Sequence, residues 1–188
     1  MGFESVTVLP TIATTTGGAP FWNTLATTNI FADDGSVADQ LFANTTSAGE
    51  ALEGTGITHT IPGRARIVGL SASIDRRQFA GGIVAVDSVV RLLINSTRVG
   101  DNKASAAAWP TTFATATYGS TADLWGLTEA ELRSVNGIVL SVYQQTSGLA
   151  LVDVDYMSLT WHYSIEPPLR YTRRPYLTMP GSQQPFLK

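Results

Sequence analysis

The chain predicts an all-β fold: an antiparallel β-sandwich of jelly-roll type, with one short helix and extended N- and C-terminal arms. Three observations predict it. Apolar and polar residues alternate with a period of two through the middle of the chain, the one helix signal is short, and no strand–helix–strand rhythm or fixed-period repeat occurs.

The elements follow in order. Residues 1–20 are rich in Thr, Gly and Pro, with Thr14, Thr15, Thr16, Gly17 and Gly18 consecutive, and read as an extended arm with a short strand at Val6–Leu9. Residues 21–56 mix Asn, Thr, Asp and Gly with isolated aromatics, and Asp34-Gly35 marks a turn. Ile57–Ile61 is a short β-rich run ended by Pro62-Gly63. Val68, Leu70, Ala72 and Ile74 then alternate with Gly69, Ser71, Ser73 and Asp75, as in a half-buried strand. In the next strand Val84, Val86, Val90, Leu92 and Ile94 are assigned to one face, and Ala85, Asp87, Val89, Arg91 and Leu93 to the other. Residues 111–117 read as a short strand, and Tyr118–Gly126 as a loop. Thr128-Glu-Ala-Glu131 is a capping box that starts a helix over about 128–134, stopped near Asn136-Gly137. Ile138, Leu140 and Val142 form a strand face. The last strand spans about 150–164. Its apolar phase changes near Tyr156-Met157, which calls for a β-bulge. Residues 166–188 hold five of the nine prolines and read as an extended arm anchored by Tyr171, Tyr176 and Phe186. The organisation is therefore an arm over 1–20, a sandwich over 21–165 and an arm over 166–188.

Composition bears on function. Of 188 residues, 44% are hydrophobic and 14% charged, the latter well below the share usual for a free soluble domain. Lys occurs twice, at Lys103 and Lys188, whereas Thr occurs 24 times. A surface so poor in charge fits one covered by neighbouring subunits. Net charge is −3, which argues against a nucleic-acid binder. The segment 166–188 carries Arg170, Arg173, Arg174 and Lys188 against Glu166, a net +3, so the remainder carries −6. A basic tail on an acidic body fits docking on a neighbour. With no Cys, the chain has no disulfide, thiolate ligand or Cys nucleophile. The N-terminus lacks a signal-peptide pattern, and no apolar run is long enough to span a membrane.

A series of spaced blocks carries a resemblance. In order they are Phe21-Trp22-Asn23; Phe31-Ala-Asp-Asp-Gly-Ser-Val-Ala38; Ile61-Pro62 with Ala65-Arg-Ile-Val-Gly-Leu70 and Ile74-Asp75-Arg76; Gly100-Asp-Asn-Lys103-Ala with Trp109-Pro110; Tyr118-Gly119 with Asp123-Leu-Trp-Gly-Leu127; Val135-Asn-Gly137; Val152-Asp153; and Thr160-Trp-His-Tyr163. Together, over about residues 21–163, they resemble β-sandwich proteins of tailed-bacteriophage and prophage virions. The Tyr-Gly and Asp-Leu-Trp-Gly block is the most specific. Asn23-Thr24 departs from the family's Asn-Pro at that place. The resemblance implies a virion component (head decoration, neck, or tail and fibre protein); with the low charge, high Thr content and two arms, the expectation is assembly with itself as a trimer or higher ring and with other virion proteins. It implies no catalytic residues.

Candidate sites follow from both lines. Arg170, Tyr171, Arg173, Arg174, Tyr176 and Phe186 are the expected assembly contacts. Trp109, Tyr118, Asp123 and Trp125 are candidates for holding a host-surface glycan, because a ring stacks a sugar and a carboxylate accepts from its hydroxyls. The favoured reading of these residues is structural, with Trp125 plugging one end of the sandwich and Asp123 accepting backbone N–H groups. Asp153 and Asp155 are expected opposite Arg76, Arg77 or Arg91 rather than around a cation, since two carboxylates do not complete a Ca²⁺ site. Gly-x-Ser-x-Gly, P-loop and His-Glu-x-x-His motifs are all missing, and His59 and His162 lie among Thr and Ser. The expectation is a non-enzymatic virion structural protein without cofactor or metal, the alternative being a glycan-binding host-recognition module of a fibre or spike.

Overall fold

A computed structural model describes residues 2–23, 27–43, 46–79 and 84–166. Ten strands and one helix follow along the chain: β1 (Gly2–Val8), β2 (Ile12–Thr16), β3 (Ala38–Ala43), β4 (Ala51–Thr55), β5 (Ala65–Gln78), β6 (Ala85–Ile94), β7 (Thr97–Val99), β8 (Ala114–Ser120), α1 (Glu129–Ser134), β9 (Gly137–Gln144) and β10 (Leu149–Ile165). They form two five-stranded antiparallel sheets. The first runs β1-β10-β5-β8, with β3 also paired to β10; the second runs β2-β4-β9-β6-β7. The predicted jelly-roll-like all-β architecture is observed. No helix among the described residues is long and apolar enough to cross a membrane.

The core lies between the sheets. Leu70, Ala72 and Ile74 of β5 and Met157, Leu159 and Trp161 of β10 meet Val90 and Leu92 of β6 and Ile138, Leu140 and Val142 of β9, all fully buried. Period-two alternation produces this, since every second side chain points to one face of a strand. The helix begins as its capping box dictates: Thr128 Oγ1 accepts from Glu131 N, and Glu131 Oε2 accepts from Thr128 N at 2.8 Å. Its carbonyl at Leu132 takes the indole N–H of Trp161 at 3.0 Å, closing one end of the core.

Three expectations need correction or limits. Residues 1–20 are not an arm. β1 pairs residue for residue with β10 from Gly2↔Ile165 to Val8↔Leu159, and β2 pairs with β4. The Thr tract that reads as loop is β-branched, and it suits an edge strand as well as it suits a turn. In β6 the register shifts between Asp87 and Val89, so Ala85 and Asp87 face inward with Val90 and Leu92. The assignment of Ala85 and Asp87 to the opposite face is therefore overturned by a bulge. The C-terminal contacts Arg170, Tyr171, Arg173, Arg174, Tyr176 and Phe186 lie outside the described residues.

The bulge expected in β10 is present. Its register on β5 shifts between Val154 and Tyr156, leaving Asp155 as the extra residue. Before it, Leu149, Leu151 and Asp153 point outward; after it, Tyr156, Ser158, Thr160 and His162 do. The outer face of the first sheet is thus divided into two halves.

Candidate functional site

The three rings among the predicted glycan residues lie inside the protein, while Asp123 is partly exposed. Trp109, Tyr118 and Trp125 are 1%, 6% and 0% exposed, so none can stack a sugar. Asp87 is the reason for two of them. Its Oδ1 accepts from the Trp109 indole at 2.8 Å and from Arg76 Nη1, and its Oδ2 accepts from the Tyr118 hydroxyl at 2.9 Å and Ser105 N at 3.0 Å. The Arg76 guanidinium lies 4.7 Å from the Trp109 ring centre and 5.6 Å from that of Tyr118. Burial pushes the Tyr118 phenol up to about 12, against the opposing pull of Arg76, so Tyr118 stays a hydrogen donor. The Asp87 carboxylate is thus fully hydrogen-bonded, as a buried charge requires, whereas the buried Arg76 Nε has no hydrogen-bond partner among the described residues. One acid in a Val-rich run, Val84-Ala-Val-Asp87, was the available signal for this buried pair.

The Tyr-Gly and Asp-Leu-Trp-Gly block is likewise structural. Trp125 Nε1 donates to the Leu70 carbonyl at 2.8 Å, and Trp125 N donates to Asp123 Oδ1 at 2.7 Å. Lys103 pairs with Asp123 at 2.9 Å. Burial pushes the Asp123 carboxyl up, yet these donors outweigh it and hold it below the usual carboxylate range. Gly119 has φ +73°, and a Cβ there would sit 2.4 Å from the Leu70 carbonyl oxygen, so only Gly fits against this ring.

The accessible chemistry lies on the first sheet's outer face. Ladder register aligns Thr7, Thr160 and Ser71 in one row and Ser158, Ser73 and Thr117 in the next. Thr7 and Thr160 hydroxyls are 2.8 Å apart, and Ser71 Oγ is 3.0 Å from His162 Nε2. A cleft of about 600 Å³ lies at one end, lined by Thr7, Phe31, Asp33, Tyr156 and Thr160 among others. A second of about 430 Å³ lies at the other end, lined by Phe3, Glu4, Val68, Thr121, Ala122 and His162. Phe31 and Tyr156, neighbours through a backbone β-bridge, both line the first cleft, and Phe3 stands 75% exposed at the second. We call this the polar half. Sequence reasoning missed it because its Ser and Thr residues were read only as the solvent side of each strand.

The Ser71–His162 contact has the distance of a nucleophile–base pair, but such a pair also needs a group that orients the imidazole. Among the described residues no carboxylate is hydrogen-bonded to His162. Burial lowers the His162 pKa, which favours the neutral ring near pH 7. His59 packs against Trp161 with ring centres 4.5 Å apart and belongs to the core end.

At the bulge, oxygens of Asp33, Asp75 and Asp155 lie within 4.8 Å of one another. Asp155 also accepts from Gly35 N at 3.2 Å, so it fastens the Asp34-Gly35 turn. Burial raises the Asp75 and Asp155 carboxyls above their ordinary range, and the charge of Asp33 raises both further. Three such oxygens could contribute to a hard-cation site, which needs several more oxygen ligands. Asp153 takes the expected arginine partner, Arg77, at 2.7 Å.

No family model and no curated protein matches the chain. Among solved structures it is similar to the N-terminal carbohydrate-binding and glycoside hydrolase modules of Clostridium thermocellum endo-1,4-beta-D-xylanase 10B, complexed with xylohexaose. That match has 12% identity and a TM-score of 0.45, and covers 82% of this chain but only 28% of the other. It is also similar to the family 11 carbohydrate-binding module of a Clostridium thermocellum cellulosomal cellulase, at 14% identity and a TM-score of 0.40, with 89% of this chain and 91% of the other covered. At this degree of likeness, function has to be argued from the chain's own residues.

Proposed function

We propose that the chain is a non-catalytic binding module that holds a polyhydroxylated ligand, a glycan chain, on the polar half of its first sheet. The observation that carries this reading is the hydroxyl grid of Thr7, Thr160, Ser71, Ser73 and Thr117 between two clefts with aromatic ends, Phe31 with Tyr156 and Phe3 with His162. Side-chain hydroxyls both donate and accept, as sugar hydroxyls do, and a ring at each end offers a face for sugar C–H groups. Tyr156 and His162 are six residues apart on β10, about 20 Å, so the ligand is an extended oligomer rather than a monosaccharide. The carbohydrate-binding proteins to which the chain is similar are compatible with this reading but do not carry it.

The setting we infer is a tailed-phage virion, where such a module would meet a host surface. The blocks from Phe21 to Tyr163 and the charge-poor surface support that setting. Screening the full chain on a glycan array, then titrating the best polysaccharide against wild type and Tyr156→Ala, tests the binding. Weakening of about tenfold or more is expected for the variant. No binding to any glycan, or equal binding by both proteins, overturns it. Gold-labelled antibody on intact particles tests the setting.

A further inference from the structure

Beyond the bulge, the first sheet's outer face is apolar and, among the described residues, uncovered. Phe21 stands beside Leu41 through the Trp22↔Gln40 bridge, Leu41 pairs with Leu151, and Phe79 N donates to the Leu151 carbonyl. This makes one row across four segments. Leu149 extends it, and Phe113 closes it, stacked 4.2 Å from the Arg77 guanidinium. Phe21, Leu41, Phe79 and Leu149 are 62%, 49%, 42% and 66% exposed. Singly exposed apolar residues are ordinary, but a contiguous set marks an interaction surface. The row is bordered by acid. Asp39 faces Asp153 across the ladder, and Asp33, Asp75 and Asp155 follow at the bulge; Asp33 and Asp39 are the accessible ones, with Asp75, Asp153 and Asp155 buried behind them. Among the described residues, Arg77–Asp153 is the one ion pair that any of these five makes.

The chemistry that would cover this face is a segment with several cations next to aromatic and aliphatic side chains. The chain carries such a segment: Arg170-Tyr-Thr-Arg-Arg174, then Tyr176-Leu177, and later Phe186-Leu187. Reach decides whose segment it is. The acidic border at Asp155 lies ten residues back along β10 from Ile165, about 33 Å. Arg170 is five residues beyond Ile165 and reaches about 18 Å at full extension, and Arg174, nine beyond, reaches about 32 Å, so a tail folding back on its own sheet leaves Arg170 short and meets the border with Arg174 only when pulled straight. A second copy has no such limit.

We propose that the apolar half of the first sheet is the docking surface for residues 170–187 of a second copy of this chain, with the arginines on the acidic border and the Tyr176, Leu177 and Phe186 side chains on the apolar row. The apolar row is separate from the glycan-binding half, although Asp33 of the acidic border also lines the first cleft, and the proposal does not rest on glycan binding.

The test uses two full-length variants. One carries Leu41→Asp with Leu149→Asp, and the other carries Arg170→Glu, Arg173→Glu and Arg174→Glu. Sedimentation equilibrium is expected to show self-association of the wild type, weakened at high salt, and at least about tenfold weaker association for each variant alone. Mixed together, the two variants should form a one-to-one complex, because the first still offers a tail and the second still offers a face. A monomeric wild type, a tail variant that associates like wild type, or a mixture that stays monomeric overturns the proposal. Circular dichroism and glycan titration of the Leu41/Leu149 variant, both expected unchanged, exclude misfolding as the cause.

Discussion

The two halves of one sheet face are built on opposite rules. In the polar half, Tyr156, Ser158, Thr160 and His162 face outward while Met157, Leu159 and Trp161 face inward, a clean alternation. In the apolar half, Ala150, Val152 and Val154 face inward, yet Leu149 and Leu151 face outward as well. Strands apolar on both sides are those covered on both sides. A single extra residue, Asp155, separates the halves, because it changes which alternate set meets solvent. One continuous strand therefore presents a wet surface and a surface suited to being covered.

The largest effect should come from removing that division. Deleting Asp155 puts Val154, Val152 and Ala150 out of phase with the core, and a loss of more than about 4 kcal/mol is expected in urea unfolding. A smaller loss would mean that the bulge relocates. Next come the adjacent arginines of β5, one inside and one outside. Arg76→Met strips a buried carboxylate of its charge partner and should cost about 3–5 kcal/mol. Arg77→Met, whose side chain is 30% exposed, should cost about 1–2 kcal/mol. Equal costs would erase the distinction between the two faces. Third, Tyr156→Ala should weaken glycan binding about tenfold, as stated above, whereas Leu149→Ser should leave it unchanged and alter stability by no more than about 0.5 kcal/mol.

The smallest effect is a pH dependence. Burial and the neighbouring carboxylates raise the Asp155 pKa in the folded state above 3.8. The folded protein then binds more protons than the unfolded chain between those two values, so this site's contribution to stability falls as pH rises through that window. Asp155→Asn removes the penalty and keeps an acceptor for Gly35. Its stability advantage over wild type should be greatest near neutral pH and vanish as pH falls below about 3.8. Thermal melts from pH 3 to 7 measure it, and an advantage that grew on acidification would refute the assignment.

What was legible in the sequence was what local rules control. The capping box of Thr128 and Glu131, the alternation through β5 and β9, and the phase change in β10 all depend on a few adjacent residues. What was hidden depends on partners far along the chain. The polar run Thr14-Thr15-Thr16 cannot be told from a loop until β4 is known to lie beside Ile12–Thr16. The bulge at Ser88 is not marked by the alternation, which assigns Asp87 to the face opposite Val90 and Leu92. Trp109, Tyr118 and Trp125 stayed open between a core plug and a binding platform because sequence shows the type of an aromatic residue and not its burial, and the structure gives the plug. The polar half escaped notice because Ser and Thr acquire meaning there only when four strands align them.

β10 also has a consequence for how the protein is made. It pairs with β1, β3 and β5, and it is the last of the described strands. The second sheet has all its strands once Gln144 has left the ribosome, but the first cannot assemble until Ile165 has emerged. The earliest-made of the described strands, β1, is thus the one among them that waits longest for its partner on the nascent chain, where its Thr and Glu side chains guard it from pairing with a stranger.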